Sequence, residues 1–215
     1  MDLYYTTNIH SNLNGRKKCN LTEYEEICKN NNCHECISDL YPIKLYYDFD
    51  YDITKCKNNN EEFRDTTIEL VAIGKKLLTN VLLEFYPDKI APIFVVKCAS
   101  SPKIMGTNKW KISFHIIITN YCMMKCDQNF FTKKVNLRLM CEKEKYKIQD
   151  IINYNEKFKF FDESLYHHYS KLRSVHCSKD NENRPSILTE GTFYDSVVNY
   201  IDENCQMCHF SPRQL

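Results

Sequence analysis

The sequence predicts an α+β protein, and three observations carry that prediction. Residues 43–52, IKLYYDFDYD, alternate apolar or aromatic side chains with polar ones at the strand period, and so does KISFH at 111–115. Between them, Ile68, Val71, Leu78, Leu82 and Phe85 recur at spacings of three, four and seven, the pattern of one helical face. Strand-like and helix-like stretches then follow one another irregularly to residue 203, with no internal repeat or long linker, which calls for a mixed sheet with helices packed on it.

In chain order, residues 1–40 are polar and Cys-rich. They read as an irregular N-terminal segment packed on the core, with a short helix around LTEYEEICKN. Residues 41–215 read as a single compact unit. Its first strand is 43–52, and a helix near 60–86 follows, closed by Pro87. APIFVVKCAS (91–100) is a buried strand by its β-branched content, and SPKIMGTNK supplies the turn before the strand 111–119. A helix is expected within 124–142. The segment 158–188 reads as an apolar run, an acid, a helical turn, a strand, a polar turn and a strand, and a last amphipathic helix is expected at about 192–203.

Composition limits the function classes. Of 215 residues, 43% are hydrophobic and 13% aromatic, which is globular, and 29 basic against 28 acidic residues leave no global field for a polyanion. A nucleic-acid surface would have to be a local patch. MDLYYTTNIH lacks the basic start and apolar core of a signal peptide, and no apolar run reaches membrane-spanning length. The expectation is an intracellular protein, in the cytoplasm, a viral replication site or the nucleus, neither secreted nor bound to a membrane. Twelve cysteines in a chain of this size point to reduced, buried thiols. Two C-x-x-C pairs, Cys33/Cys36 (with Cys28 and His34 close by) and Cys205/Cys208 (with His209), would jointly make one tetrahedral zinc site if the termini meet.

The chemistry begins with the acids. Alternation puts Ile43, Leu45, Tyr47, Phe49 and Tyr51 on one face and Asp48, Asp50 and Asp52 on the other. Asp48 and Asp50 would then stand roughly 6–7 Å apart, with roughly 2–3 kcal/mol of repulsion at an effective dielectric near 20. A positive charge must sit between them. Three carboxylates offered from strands suit a hard divalent cation, and Asp162, directly after the aromatic run FKFF, is the third candidate. Lys111, Ser113 and His115 offer an ammonium, a hydroxyl and an imidazole from one strand face, a set able to donate to a triphosphate. Arg173 and Lys179 add two cations, although six extended residues would separate them by about 20 Å, so the chain must bend between them. Taken alone, a D-x-D strand is more often a solvated acidic face, and a lone His more often a packed one. Lys133 and Lys134 are candidates for following a template backbone, against the plainer reading of solvated helix lysines.

In order, YYDFDYD, KISFH and FDESLYHHYSKLRSVHCSKDNENRP resemble the three motifs of the archaeo-eukaryotic primases: a D-x-D/E strand, an S-x-H strand and an apolar-Asp segment. Asp162, Tyr166, Arg173 and Lys179, at offsets of zero, four, eleven and seventeen, are similar in spacing to the PrimPol-like primases. The N-terminal primase module of poxvirus-type helicase-primases looks similar too, including SFHII and YIDENCQMCHF, and the resemblance spans about 43–210. It implies a primase fold, with a catalytic sheet like that of an RNA-recognition motif beside a smaller N-terminal α/β lobe. It implies Asp48, Asp50 and Asp162 as ligands of Mg²⁺ or Mn²⁺, and Lys111, Ser113, His115, Arg173 and Lys179 as nucleotide-binding residues. The activity implied is that of a DNA-directed primase or primase-polymerase, joining nucleoside triphosphates on a single-stranded DNA template by a two-metal mechanism, with a replicative helicase in cis or in trans. Those primases often carry Glu where Asp50 stands, and Asp52 has no counterpart. One alternative is a non-catalytic module that binds nucleotides or single strands within a helicase complex. Another is a metal-dependent glycosyltransferase, which would leave Ser113 and His115 unexplained.

Overall fold

The computed structural model describes residues 3–7, 16–54, 60–104, 109–148, 151, 158–167, 170–178 and 182–210. The elements are β1 (Leu3–Thr6), β2 (Lys17–Cys19), α1 (Leu21–Asn30), β3 (His34–Cys36), β4 (Ile43–Thr54), α2 (Asn60–Phe85), β5 (Phe94–Ala99), β6 (Lys103–Ile104), β7 (Lys109–Met123), α3 (Lys125–Cys141), α4 (Lys143–Tyr146), a 3-10 turn (Glu163–Tyr166), β8 (Lys171–Arg173), β9 (Ser186–Glu190) and β10 (Gln206–Met207). They form two sheets with helices, an α+β architecture. Every pairing is antiparallel except that of β10 with β7.

The larger sheet is organised around β7, which pairs with β4 on one side and with β5, β6 and β10 along the other, while β9 extends the sheet beyond β5. Its helical face carries Leu45, Tyr47 and Phe49 of β4 and Ile112, Phe114, Ile116 and Ile118 of β7, all buried with α2 and α3 in one core. The alternation thus places residues as the sequence suggests, with one correction. The register slips between Lys44 and Leu45, so Ile43 turns to the opposite face and packs with Tyr46, Ile117 and Val198.

The buried stripe of α2 also differs from the expected one. Phe63, Leu70, Leu77, Leu78, Val81 and Leu82 are buried, whereas Ile68 is 64% exposed. The helix meets the sheet through Gly74, where an added Cβ would lie 2.9 Å from Ile116 Cδ1 and 3.1 Å from Phe160 Cε1. Gly74→Ala gains helix propensity of about 1 kcal/mol but overpacks this contact at a cost of about 1–3 kcal/mol, so a net destabilisation of about 1 kcal/mol is expected in urea unfolding.

Residues 1–40 are more regular than expected. β2, β1 and β3 make a four-stranded sheet completed by β8, and α1 starts with a capping box in which Asn20 and Glu23 bond each other's backbone N–H. The reason is long-range: β3 gains its second partner from residues 171–173, a pairing that local propensity cannot announce. Conversely, the helix expected at 192–203 is absent, and residues 193–199 run as successive turns. The Ser196 hydroxyl donates to Phe193 O, Lys44 Nζ donates to Tyr194 O and Asp195 O, and the buried Glu35 carboxylate accepts from the N–H groups of Val198 and Asn199. These side chains take the backbone groups that a helix would have paired internally. No helix among the described residues is long and apolar enough to cross a membrane.

Candidate active site

Strand register builds the site. Asp48 stands opposite His115, Asp50 opposite Ser113 and Asp52 opposite Lys111, so the two polar faces singled out in the sequence are one surface. On the far side of β7, His115 also faces Lys97 of β5. The third acid arrives at the other edge of β4, where the Asp162 N–H donates to Asp48 O at 2.9 Å. Tyr166 secures that arrival: its hydroxyl donates to Tyr46 O at 2.7 Å and accepts from Thr132 Oγ1 at 2.9 Å, binding the 3-10 turn to β4 and α3.

One charge pair answers the repulsion between the acids, and an imidazole stands beside the other carboxylate. Lys111 Nζ lies 2.8 Å from Asp50 Oδ2, and His115 Nε2 lies 3.2 Å from Asp48 Oδ1. Burial pushes the His115 pKa below the ordinary imidazole value, opposed by Asp48 and reinforced by Lys97 and Arg173. The lowering favours the neutral imidazole, which stands with Nε2 beside the Asp48 carboxylate. Arg173 is 8% exposed, and burial lowers its pKa while Asp48 supports its charge. Lys179 lies outside the described residues. The bend required after Arg173 is present, since residues 175–176 turn and His176 adopts φ 69°.

Sequence reasoning missed two cations. Lys97, 2% exposed, donates from Nζ to Arg173 O at 2.9 Å, and burial holds its pKa down to about 8. A lysine inside the apolar strand FVVKCA was the available signal. Arg184 donates to Ser101 O and pairs with Glu182, adding positive potential near Asp50. Lys97 also carries a pH signature. Between pH 8 and 10.5 the unfolded chain retains a proton there that the folded chain releases, so this group makes folding more favourable as pH rises through that window. The increment is about 3 kcal/mol at about 1.4 kcal/mol per pKa unit. Lys97→Met should remove it, as read from the difference between wild-type and variant stability curves across pH 7–10.5, which cancels the tyrosine and cysteine titrations.

The donor set fits a hard divalent cation in its chemistry. Asp48, Asp50 and Asp162 all supply carboxylate oxygens, and among the described residues Asp50 Oδ1 is buried without a hydrogen-bond partner. His115 Nδ1 and Arg173 Nε are buried without one as well, so the surface retains unmet polar capacity of both signs. It is not a closed cage. Asp162 accepts from Ser164 N and Ser164 Oγ, both at 2.8 Å, and the three acids do not bring their oxygens within 4.8 Å of one another. Asp52 is exposed at the rim. Lys133 and Lys134 lie over the rings of Phe130 and Phe85 on α3 and α2, in the helical layer.

The four cysteines expected to share zinc are not brought together. Cys33 packs with Cys28 and Cys177 in the N-terminal cluster, Cys36 ends β3, Cys205 neighbours Cys122, and Cys208 belongs to the main core. Tyr86 Oη donates to His209 O and Cys208 N to Cys122 O, so the C-terminal C-x-x-C is fastened beside β7 and away from β3. No protein-family model matches the chain, and no curated protein sequence matches it.

Proposed function

We propose that this chain is a template-directed nucleotidyltransferase of the primase or primase-polymerase type, joining nucleoside triphosphates on single-stranded DNA. The observation that supports this reading is the convergence of the three sequence motifs: Asp48 and Asp50 lie opposite His115 and Ser113, and the segment of Asp162 is hydrogen-bonded to Asp48. Asp48, Asp50 and Asp162 would hold Mg²⁺ or Mn²⁺, which when bound supplies charge neutralisation at the phosphates. Arg173, with its Nε unpartnered and its strand fixed through Lys97, would donate to a phosphate oxygen. Ser113 supplies a hydroxyl donor between Lys111 and His115. His115 stands with Nε2 3.2 Å from Asp48 Oδ1, and its Nδ1 is buried without a hydrogen-bond partner. A replicative helicase acting in cis or in trans belongs to the same reading.

A second reading is a non-catalytic module that binds triphosphate or single strands. It is favoured by the engagement of Asp162 with Ser164 and of Asp50 with Lys111, which leaves the acids apart. Primer synthesis on single-stranded DNA, with labelled ribo- and deoxynucleoside triphosphates and Mg²⁺ or Mn²⁺, separates the two. Template-dependent products are expected. Silence together with retained triphosphate or single-strand binding would instead establish the binding module.

A further inference from the structure

The four-stranded sheet gathers a second set of ligating side chains. The Sγ atoms of Cys28, Cys33 and Cys177 lie within 4.8 Å of one another, and the residues are 1%, 0% and 0% exposed. Among the described residues this is the one such group of three or more His, Cys, Asp or Glu donors. Cys28 comes from the last turn of α1, Cys33 from the loop before β3, and Cys177 from the turn after β8.

Buried thiols pack well as small hydrophobes, so burial alone decides nothing. Three details separate this cluster from ordinary packing. The sulfurs converge on one another from three chain segments, although Leu3, Tyr5, Val175 and Val197 of the same core were available as neighbours. Cys28 and Cys33 are spaced C-x₄-C, within the range of metal-binding pairs. The loop between them is wrapped on the third ligand's segment: Ser174 N donates to Cys33 O at 3.1 Å, and Ser178 N to Asn32 Oδ1 at 2.9 Å.

We propose that Cys28, Cys33 and Cys177 form a structural site for a thiophilic divalent cation, zinc foremost. Tetrahedral Zn–S bonds of about 2.3 Å place sulfurs roughly 3.8 Å apart, so the gathered thiols need only small adjustments to close on an ion. The fourth position would fall to Cys19, in the same apolar cluster, or to His34, 2% exposed and next in chain to Cys33, each of which lies outside the group of sulfurs within 4.8 Å of one another and would have to move in to ligate. His34 is the cross-strand partner of Arg173, four residues before Cys177. A metal here would pin the segment carrying Arg173 to the loop 28–34, whatever reaction the acidic face performs.

The test uses the full chain, purified reduced and without chelator. About one zinc per chain is expected. Replacement by Co²⁺ should give sulfur-to-cobalt charge-transfer bands with the visible bands of a tetrahedral ion, their intensity and position distinguishing S₃N from S₄. Cys28→Ser and Cys177→Ser should each weaken cobalt binding by at least about tenfold, while Cys205→Ser leaves it unchanged. Circular dichroism reports whether the variants fold. If they do not, the wild-type cobalt spectrum decides. A reduced wild-type chain that takes up neither ion overturns the proposal. So does cobalt binding that survives Cys28→Ser and Cys177→Ser, or a disulfide between two of these cysteines in the metal-free protein as isolated.

Discussion

Asp48→Asn is expected to lower template-dependent synthesis by about 10²–10⁴-fold, equivalent to about 3–5 kcal/mol of transition-state stabilisation. The amide keeps the shape of the carboxylate beside His115 Nε2, which lies 3.2 Å from Asp48 Oδ1. What it removes is one negative charge from the strand face that Asp50 shares. Arg173, Lys111 and Ser113 remain, so triphosphate binding measured without divalent ion should change no more than a few-fold. Asp52→Asn is the matched control. It makes the same chemical change on the same strand face at an exposed position, and near wild-type synthesis is expected. Full activity in Asp48→Asn would remove this carboxylate from the reaction and overturn the assignment of Asp48 as a metal ligand.

Phe49→Ala should be the most damaging packing change in β4. Phe49 lies between Asp48 and Asp50 in sequence but faces the helices, 0% exposed, stacked on Phe114 at 4.7 Å and 6° and tilted against Phe160 at 4.9 Å. Truncation leaves a cavity walled by aromatic rings, and a loss of about 3–5 kcal/mol is expected in denaturant unfolding. For a chain of this size that corresponds to a fall in Tm of about 10 °C. Phe49→Leu, which refills much of the space, should lose distinctly less. Because the same strand carries both acids, synthesis by Phe49→Ala should fail at a lower temperature than synthesis by wild type, and in step with its unfolding curve.

The two sides of the site were legible in the sequence to different degrees. Alternation alone assigned Asp48, Asp50, Ser113 and His115 to polar faces, because a half-buried strand has a period of two and little freedom to hide it. That the faces adjoin depends on β4 pairing with β7 across the whole of α2 and β5, which periodicity does not encode. Lys97 stayed hidden because its strand is covered on both sides, so it read as an apolar run with one exception. The turns at 193–199 carry helix-like spacing, yet Lys44, Glu35 and Ser196 satisfy their backbone groups, and two of those three residues lie about 150 positions away in the chain. The C-x-x-C spacing misdirected the zinc expectation for a similar reason. The residue that joins Cys28 and Cys33 is Cys177, supplied by tertiary contact.

The central place of β7 has a consequence for when and how the site can come apart. His115 is hydrogen-bonded through its strand to β4 on one side and β5 on the other, and Phe114 beside it is 1% exposed under the helices. Sub-global openings release edges, loops and termini first, and a central strand is freed only when the sheet itself is lost. Backbone amides of this row should thus exchange with solvent at the rate set by complete unfolding, so the acidic face and the molecule share one cooperative unit. The terminal sheet is fastened to that unit by Lys97 Nζ on Arg173 O and by the buried Glu35 carboxylate on the 198–199 turn, so its loosening would carry Arg173 away from the acidic face.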